Sequence, residues 1–151
     1  MLAISWTSEM LLGVPEMDNA HQRLLEQLGR LAVAPCEQFC AGFQALITTF
    51  ERDFQEEEAL MEKIKFPARR VHHEQHTHVV NGLLHVEPLV ALGDIEAGRH
   101  VVKQLPQWFL MHLSSMDLML AIALDIVKMS HNPPPPVLLR TERARLINCL
   151  D

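Results

Sequence analysis

His72 and His76 stand four residues apart in His72-His73-Glu74-Gln75-His76, within a strongly helical segment. At about 100° per residue both project from one side of a helix, one turn apart. Val79, Leu83, Val86 and Val90 continue that stripe, so two imidazoles point into what should be a helix-packed core. That arrangement points to a metal site. The preceding segment repeats the spacing with Asp53 and Glu57 on its inward stripe. A carboxylate pair on an apolar face is costly unless a cation neutralises it. His21 lies one turn before Leu24 and Leu25, and His112 is followed five residues later by Asp117, about 140° round a helix and so flanking the same face. Alone, His21 reads better as a half-buried histidine, and Glu57 as part of an acidic surface run. Together, His21, Asp53, Glu57, His72, His76, His112 and Asp117 are far more specific. Imidazole and carboxylate without thiolate suit iron, manganese or zinc rather than copper(I) or a cluster. Seven donors exceed one tetrahedral site and two carboxylates can bridge, so the expectation is a dinuclear centre with bonds of about 2.0–2.2 Å.

Four amphipathic helices must position these residues. The first is expected from about Asn19, capped by Asp18 or Asn19, to Ala34 before Pro35, with Leu24, Leu25, Leu28 and Leu31 inward. The second runs from about Glu37 to Lys65, with Phe43, Leu46, Phe50, Leu60, Met61 and Ile64 inward. After Phe66-Pro67 the third covers about Ala68 to Leu92, and Gly93 and Asp94 separate it from the fourth. The fourth runs from about Ile95 to Met129, with Pro106 expected to kink or restart it, and Leu105, Trp108, Phe109, His112, Met116 and Leu120 inward. Met111, Met116 and Met119 read as core filler rather than a cofactor box. His73, His78, His85 and His100 read as surface or rim. Residues 1–18 form an arm anchored by Trp6 and by Leu11 or Leu12. Short connections predict an all-α, up-down-up-down antiparallel bundle over residues 1–130. Residues 131–151 form a proline spacer and a short tail helix, with Leu138, Leu139, Leu146 and Ile147 as its apolar members. That tail either docks on its own bundle or offers residues 137–150 to a protein partner.

The chain has 151 residues, 48% of them hydrophobic, which suits one domain with one core. A net charge of -6 gives nucleic-acid binding no electrostatic support. Cys36, Cys40 and Cys149 form no CxxC pair, so a disulfide framework or thiolate zinc site is not expected. With no run of 18 apolar residues and no signal peptide, the expectation is a cytoplasmic protein with no membrane partner.

The opening ISW…LLGVPEMDNAH, the segment DFQEEEALM, the HHEQH after FP, and WFLMHLSSMD resemble the hemerythrin family, above all its bacterial single-domain members. The family pattern H…HxxxE…HxxxH…HxxxxD is matched over roughly residues 4–120. The resemblance implies a non-haem di-iron centre, ferrous or ferric and oxo- or hydroxo-bridged, that binds dioxygen. It implies that His72, His76 and His112 hold one iron, that Glu57 and Asp117 bridge both, and that His21 sits on the second iron, where oxygen binds. The departure is Asp53, which stands where the family has histidine. An aspartate oxygen reaches about 2 Å less far from the backbone than an imidazole Nε2. Asp53 therefore ligates after a helix shift, ligates through water, or leaves a position open. A ligating anion would stabilise the ferric state and lower the reduction potential, which makes reversible oxygen carriage less secure. Three functions follow: an oxygen carrier, store or sensor; a di-iron enzyme acting on peroxide or nitric oxide; and a metal-poor interaction module.

Overall fold

A computed structural model describes residues 4–132, and the expected spacer and tail from residue 133 onward lie outside the described residues. The described chain is all-α: α1 spans Pro15–Ala32, α2 Cys36–Lys63, α3 Arg69–Ala91 and α4 Ile95–His112. A π-helical turn, Leu113–Asp117, joins α4 to α5, Leu118–His131, as one continuous fourth helix. Successive helices pack against one another and α4 closes on α1, giving the expected four-helix bundle.

Sequence chemistry explains most boundaries. α1 begins four residues earlier than expected because Pro15, with its fixed φ and missing N–H, opens the first turn. Asp18 is therefore not a cap. It is buried inside α1, and its carboxylate accepts the Leu12 and Gly13 N–H groups at 2.7 and 3.1 Å, tying down the N-terminal arm. Trp6 and Leu12 pack on the core, whereas Leu11 is exposed. α3 ends in a Schellman motif: Gly93 takes a φ of 99°, Asp94 N–H bonds Leu89 O at 2.9 Å and Gly93 N–H bonds Val90 O at 3.0 Å. α2 ends the same way with Lys65 at a φ of 53°, a conformation that costs a side-chain-bearing residue energy. The Asp94 side chain caps the Ala97 N–H at 3.1 Å. Pro106 does not end the fourth helix. Burial of Leu105, Phe109 and His112 on the same helix outweighs the local proline penalty.

The interior has two apolar clusters. The larger is built around Leu28, Phe39, Phe43, Leu46, Phe50, Leu83 and Phe109. The smaller comprises Val14, Met17, Met61, Phe66, Leu120, Ala121 and Leu124. Along the chain, the buried histidines and Glu57 fall between members of the two: His21 between Met17 and Leu24, Glu57 between Phe54 and Met61, and His72 and His76 between Phe66 and Val79. His112 and Asp117 flank Leu113, with Phe109 before them and Leu120 after. A polar layer thus sits between two dry ones. Met111 and Met119, expected as core filler, are 65% and 48% exposed. Their side of the helix turns away from the bundle. The continuous helix Ile95–His131 is long and apolar enough to cross a membrane by length and composition, and its inward side packs in the bundle.

Candidate metal centre

The polar layer collects one donor atom each from Glu57, His72, His76, His112 and Asp117, all within 4.8 Å of one another and all buried. α3 supplies two imidazoles from successive turns. The π turn supplies the step that an α-helix cannot. Five residues of α-helix would put Asp117 about 140° from His112, but the wider turn returns it to the same face, with His112 Nε2 3.1 Å from Asp117 Oδ1. Ser114 Oγ donates to Leu110 O at 2.8 Å, and Ser115 Oγ to Met111 O at 2.6 Å. Such local bonds open a helical turn and satisfy carbonyls left over by a change of register. The Ser-Ser pair inside HxxxxD was the available sequence signal for this turn.

The contacts are those of donors around a common centre. His112 Nε2 lies 3.0 Å from His76 Nε2 and 3.1 Å from His72 Nε2. Glu57 Oε2 approaches the Nε2 atoms of His72 and His76 at 3.3 and 3.2 Å. Asp117 Oδ1 lies 3.2 Å from His72 Nε2. Three ring nitrogens that face one another can share few protons, so hydrogen bonding does not account for the cluster. Adjacent donors on an octahedron with bonds of about 2.1 Å are about 3.0 Å apart, so the five atoms fit one cation. Glu57 Oε2, Asp117 Oδ1 and the outer Nδ1 atoms of His72 and His76 have no hydrogen-bond partner among the described residues. Buried carboxylate oxygens in that condition call for a cation.

The second oxygens of the two carboxylates face the other way. His21 Nε2 is 3.2 Å from Glu57 Oε1 and 3.4 Å from Asp117 Oδ2. Asp53 is apart from the five-donor cluster. Its Oδ1 accepts from Arg52 Nε and Nη2 at 3.0 and 2.8 Å, while its Oδ2 is buried without a partner among the described residues. His73, His78, His85 and His100 are exposed.

Charge and burial oppose one another here. Burial pushes Glu57 up, but the facing imidazoles of His21, His72 and His76 override it and hold the carboxyl well below its ordinary range. Burial disfavours a charged His72, yet Asp117 and Glu57 raise it to about 9. His21 is raised in the same way against its own burial, by Glu57 and Asp117. For His76 burial prevails, aided by the neighbouring imidazoles His112 and His72, and its pKa is lowered. Asp53 is raised by burial despite Arg52.

Aromatic rings wall the layer, in contacts that the sequence analysis did not anticipate. Phe54 stacks on His76 with centroids 3.7 Å apart, and Trp108 stacks on His112 at 4.8 Å. Phe109 meets the His21 ring edge-on at 5.3 Å. Gln75, also unforeseen, places Oε1 2.9 Å from His112 Nδ1, so the ring donates outward and turns its Nε2 lone pair inward.

Carboxylates and imidazoles sent from facing helices into one buried layer are the arrangement in which helical bundles build metal sites. No protein-family profile matches the chain. A bacteriohemerythrin of Ralstonia nicotianae (strain ATCC BAA-1114 / GMI1000) is 33% identical over 120 residues, covering 80% of this chain and 88% of that protein. The chain belongs to the bacteriohemerythrin family.

Proposed function

We propose that this chain holds two iron ions in its polar layer and takes up dioxygen, or a ligand of similar size, on the His21 side, as a carrier, store or sensor. The observation that carries the reading is the convergence of five buried donor atoms on one centre: three imidazole Nε2 atoms and one oxygen each of Glu57 and Asp117. His72, His76 and His112 would hold one ion. Glu57 and Asp117, whose second oxygens face His21, would span to the other. Asp53 would complete the second side through Oδ2. Iron, when bound, supplies reversible electron transfer to a small oxidising ligand.

The residues do the rest. Two carboxylates between the sites offset the positive charge that would otherwise repel across the layer. Gln75 orients His112, and Phe54, Trp108 and Phe109 keep the imidazoles fixed and bulk water out. Asp53 lines a cavity of ≈10 Å³ together with Glu57, Met17 and Ala20, room for about one water-sized molecule. This also favours a second reading, turnover of peroxide or nitric oxide, because an anionic side chain beside the ligand position stabilises the oxidised metal. Metal analysis with an anaerobic-to-aerobic optical titration tests the proposal. We expect about two irons per chain and new visible bands on adding oxygen to the ferrous protein. Zinc alone, or iron without an oxygen-dependent spectrum, would refute it. Steady consumption of peroxide or nitric oxide would select the enzyme reading.

A further inference from the structure

Asp53 is 5% exposed, and its two oxygens meet different surroundings. Oδ1 is engaged by two nitrogens of Arg52, whose side chain is half exposed. Oδ2 is buried without a partner among the described residues, and Asp53 lines the small cavity that also borders Glu57 and Ala20, the residue before His21. An unpaired buried carboxylate oxygen is expensive, and a cation removes that cost. Arg52 competes for the same carboxylate from outside. Arg23 also attracts Asp53, and Glu56 repels it.

We propose that Arg52 is a positioning residue for the cation on the His21 side. By engaging Oδ1 it leaves Asp53 a single inward oxygen and shares its charge, so that this cation is held more weakly than the one among His72, His76 and His112. The inference rests on the dinuclear reading above. It implies that the ions load in order and leave in reverse. The site among the three imidazoles is complete without Asp53. The other has His21, the second oxygens of Glu57 and Asp117, and whatever Arg52 allows Asp53 to contribute. Without Arg52, both oxygens and the whole charge of Asp53 become available to the metal.

The test is metal release from the iron-loaded full chain, titrated with a chelator of known affinity. Iron per chain is followed by elemental analysis and the fold by circular dichroism. The wild type should lose its ions in two steps. Arg52→Ala and Arg52→Gln should shift the first, weaker step by about tenfold or more toward tighter binding, the scale of changes around metal ligands, and leave the second step in place. Arg52→Lys, which keeps the charge, should stay closer to wild type than either. In an Asp53→Asn background, Arg52→Ala should no longer have an effect. The proposal is overturned if Arg52→Ala and Arg52→Gln leave the weaker step unchanged or weaken it. It is equally overturned if the shift persists with Asn at position 53. A wild-type protein releasing a single ion in a single step would overturn the dinuclear reading itself, and is told apart because no second step exists to move.

Discussion

The hydrogen bond from His112 to Gln75 gives the sharpest measure of how the site is held. Among the described residues, the outer nitrogens of His21, His72 and His76 make no hydrogen bond, the nearest carboxylate to His76 Nδ1 being Glu58 Oε1 at 3.9 Å, whereas His112 Nδ1 meets Gln75 Oε1 at 2.9 Å. That bond fixes the tautomer that presents Nε2 to the cluster and raises the basicity of the ring. Gln75→Leu removes the acceptor. Losing an outer partner of a metal-bound imidazole costs about 10- to 100-fold in metal affinity, or about 1.4–2.8 kcal/mol. The metal-free protein should lose only about 1 kcal/mol, the net worth of one hydrogen bond. Chelator competition on the tighter iron, beside urea unfolding of the metal-free protein, separates the two losses. Gln75→Glu supplies a stronger acceptor and should hold iron at least as well as wild type. If Gln75→Leu changes iron affinity by less than about threefold, or if its whole effect appears in the metal-free fold, then Gln75 does not orient a ligand.

Asp53→His restores a neutral donor, and the oxygen-dependent absorption should persist longer than in the wild type by stopped-flow; an equal or shorter lifetime would remove the charge argument. In the metal-free protein the raised pKa of His72, about 9 against 6.5 unfolded, contributes about 3 kcal/mol that is fully present below pH 6.5 and lost as pH rises through 9. His21 adds in the same direction, while the lowered His76 opposes it near pH 6.5 and below. Urea midpoints should therefore fall between pH 6.5 and 9.5, and a flat profile would contradict the paired geometry. Lys65→Gly relieves a left-handed residue at the end of α2 and should stabilise the fold by about 1 kcal/mol in thermal unfolding; destabilisation would mean that the lysine side chain does work there.

Periodicity exposed most of this architecture because the bundle obeys it. Leu24, Leu25, Leu28 and Leu31 on α1, and Phe43, Leu46 and Phe50 on α2, are all buried as their spacing implies. His72, His76 and Glu57 were legible for the same reason: a buried polar residue in an apolar stripe stands out, and i, i+4 spacing fixes its direction. Asp117 was harder. Its position depends on a widened turn, and no α-helical wheel can represent a five-residue return to the same face. Asp18 misled because a carboxylate near a helix start usually caps that helix, whereas here it reaches back to the arm. Met111 and Met119 misled because composition says nothing about which side of a helix lacks a neighbour. Arg52 and Gln75 were invisible for a related reason. Both are ordinary surface types whose importance lies in what their tips touch.

The join between the π turn and α5 has a mechanical consequence. Asp117 is fully enclosed and in contact with three imidazoles, and the next residue, Leu118, is already 42% exposed. From there Met119, Ile122, Ile126 and Met129 run as a bare greasy ridge along the outside of α5. The enclosed carboxylate and the exposed ridge thus belong to one unbroken helix, with no loop between them to absorb a displacement of either.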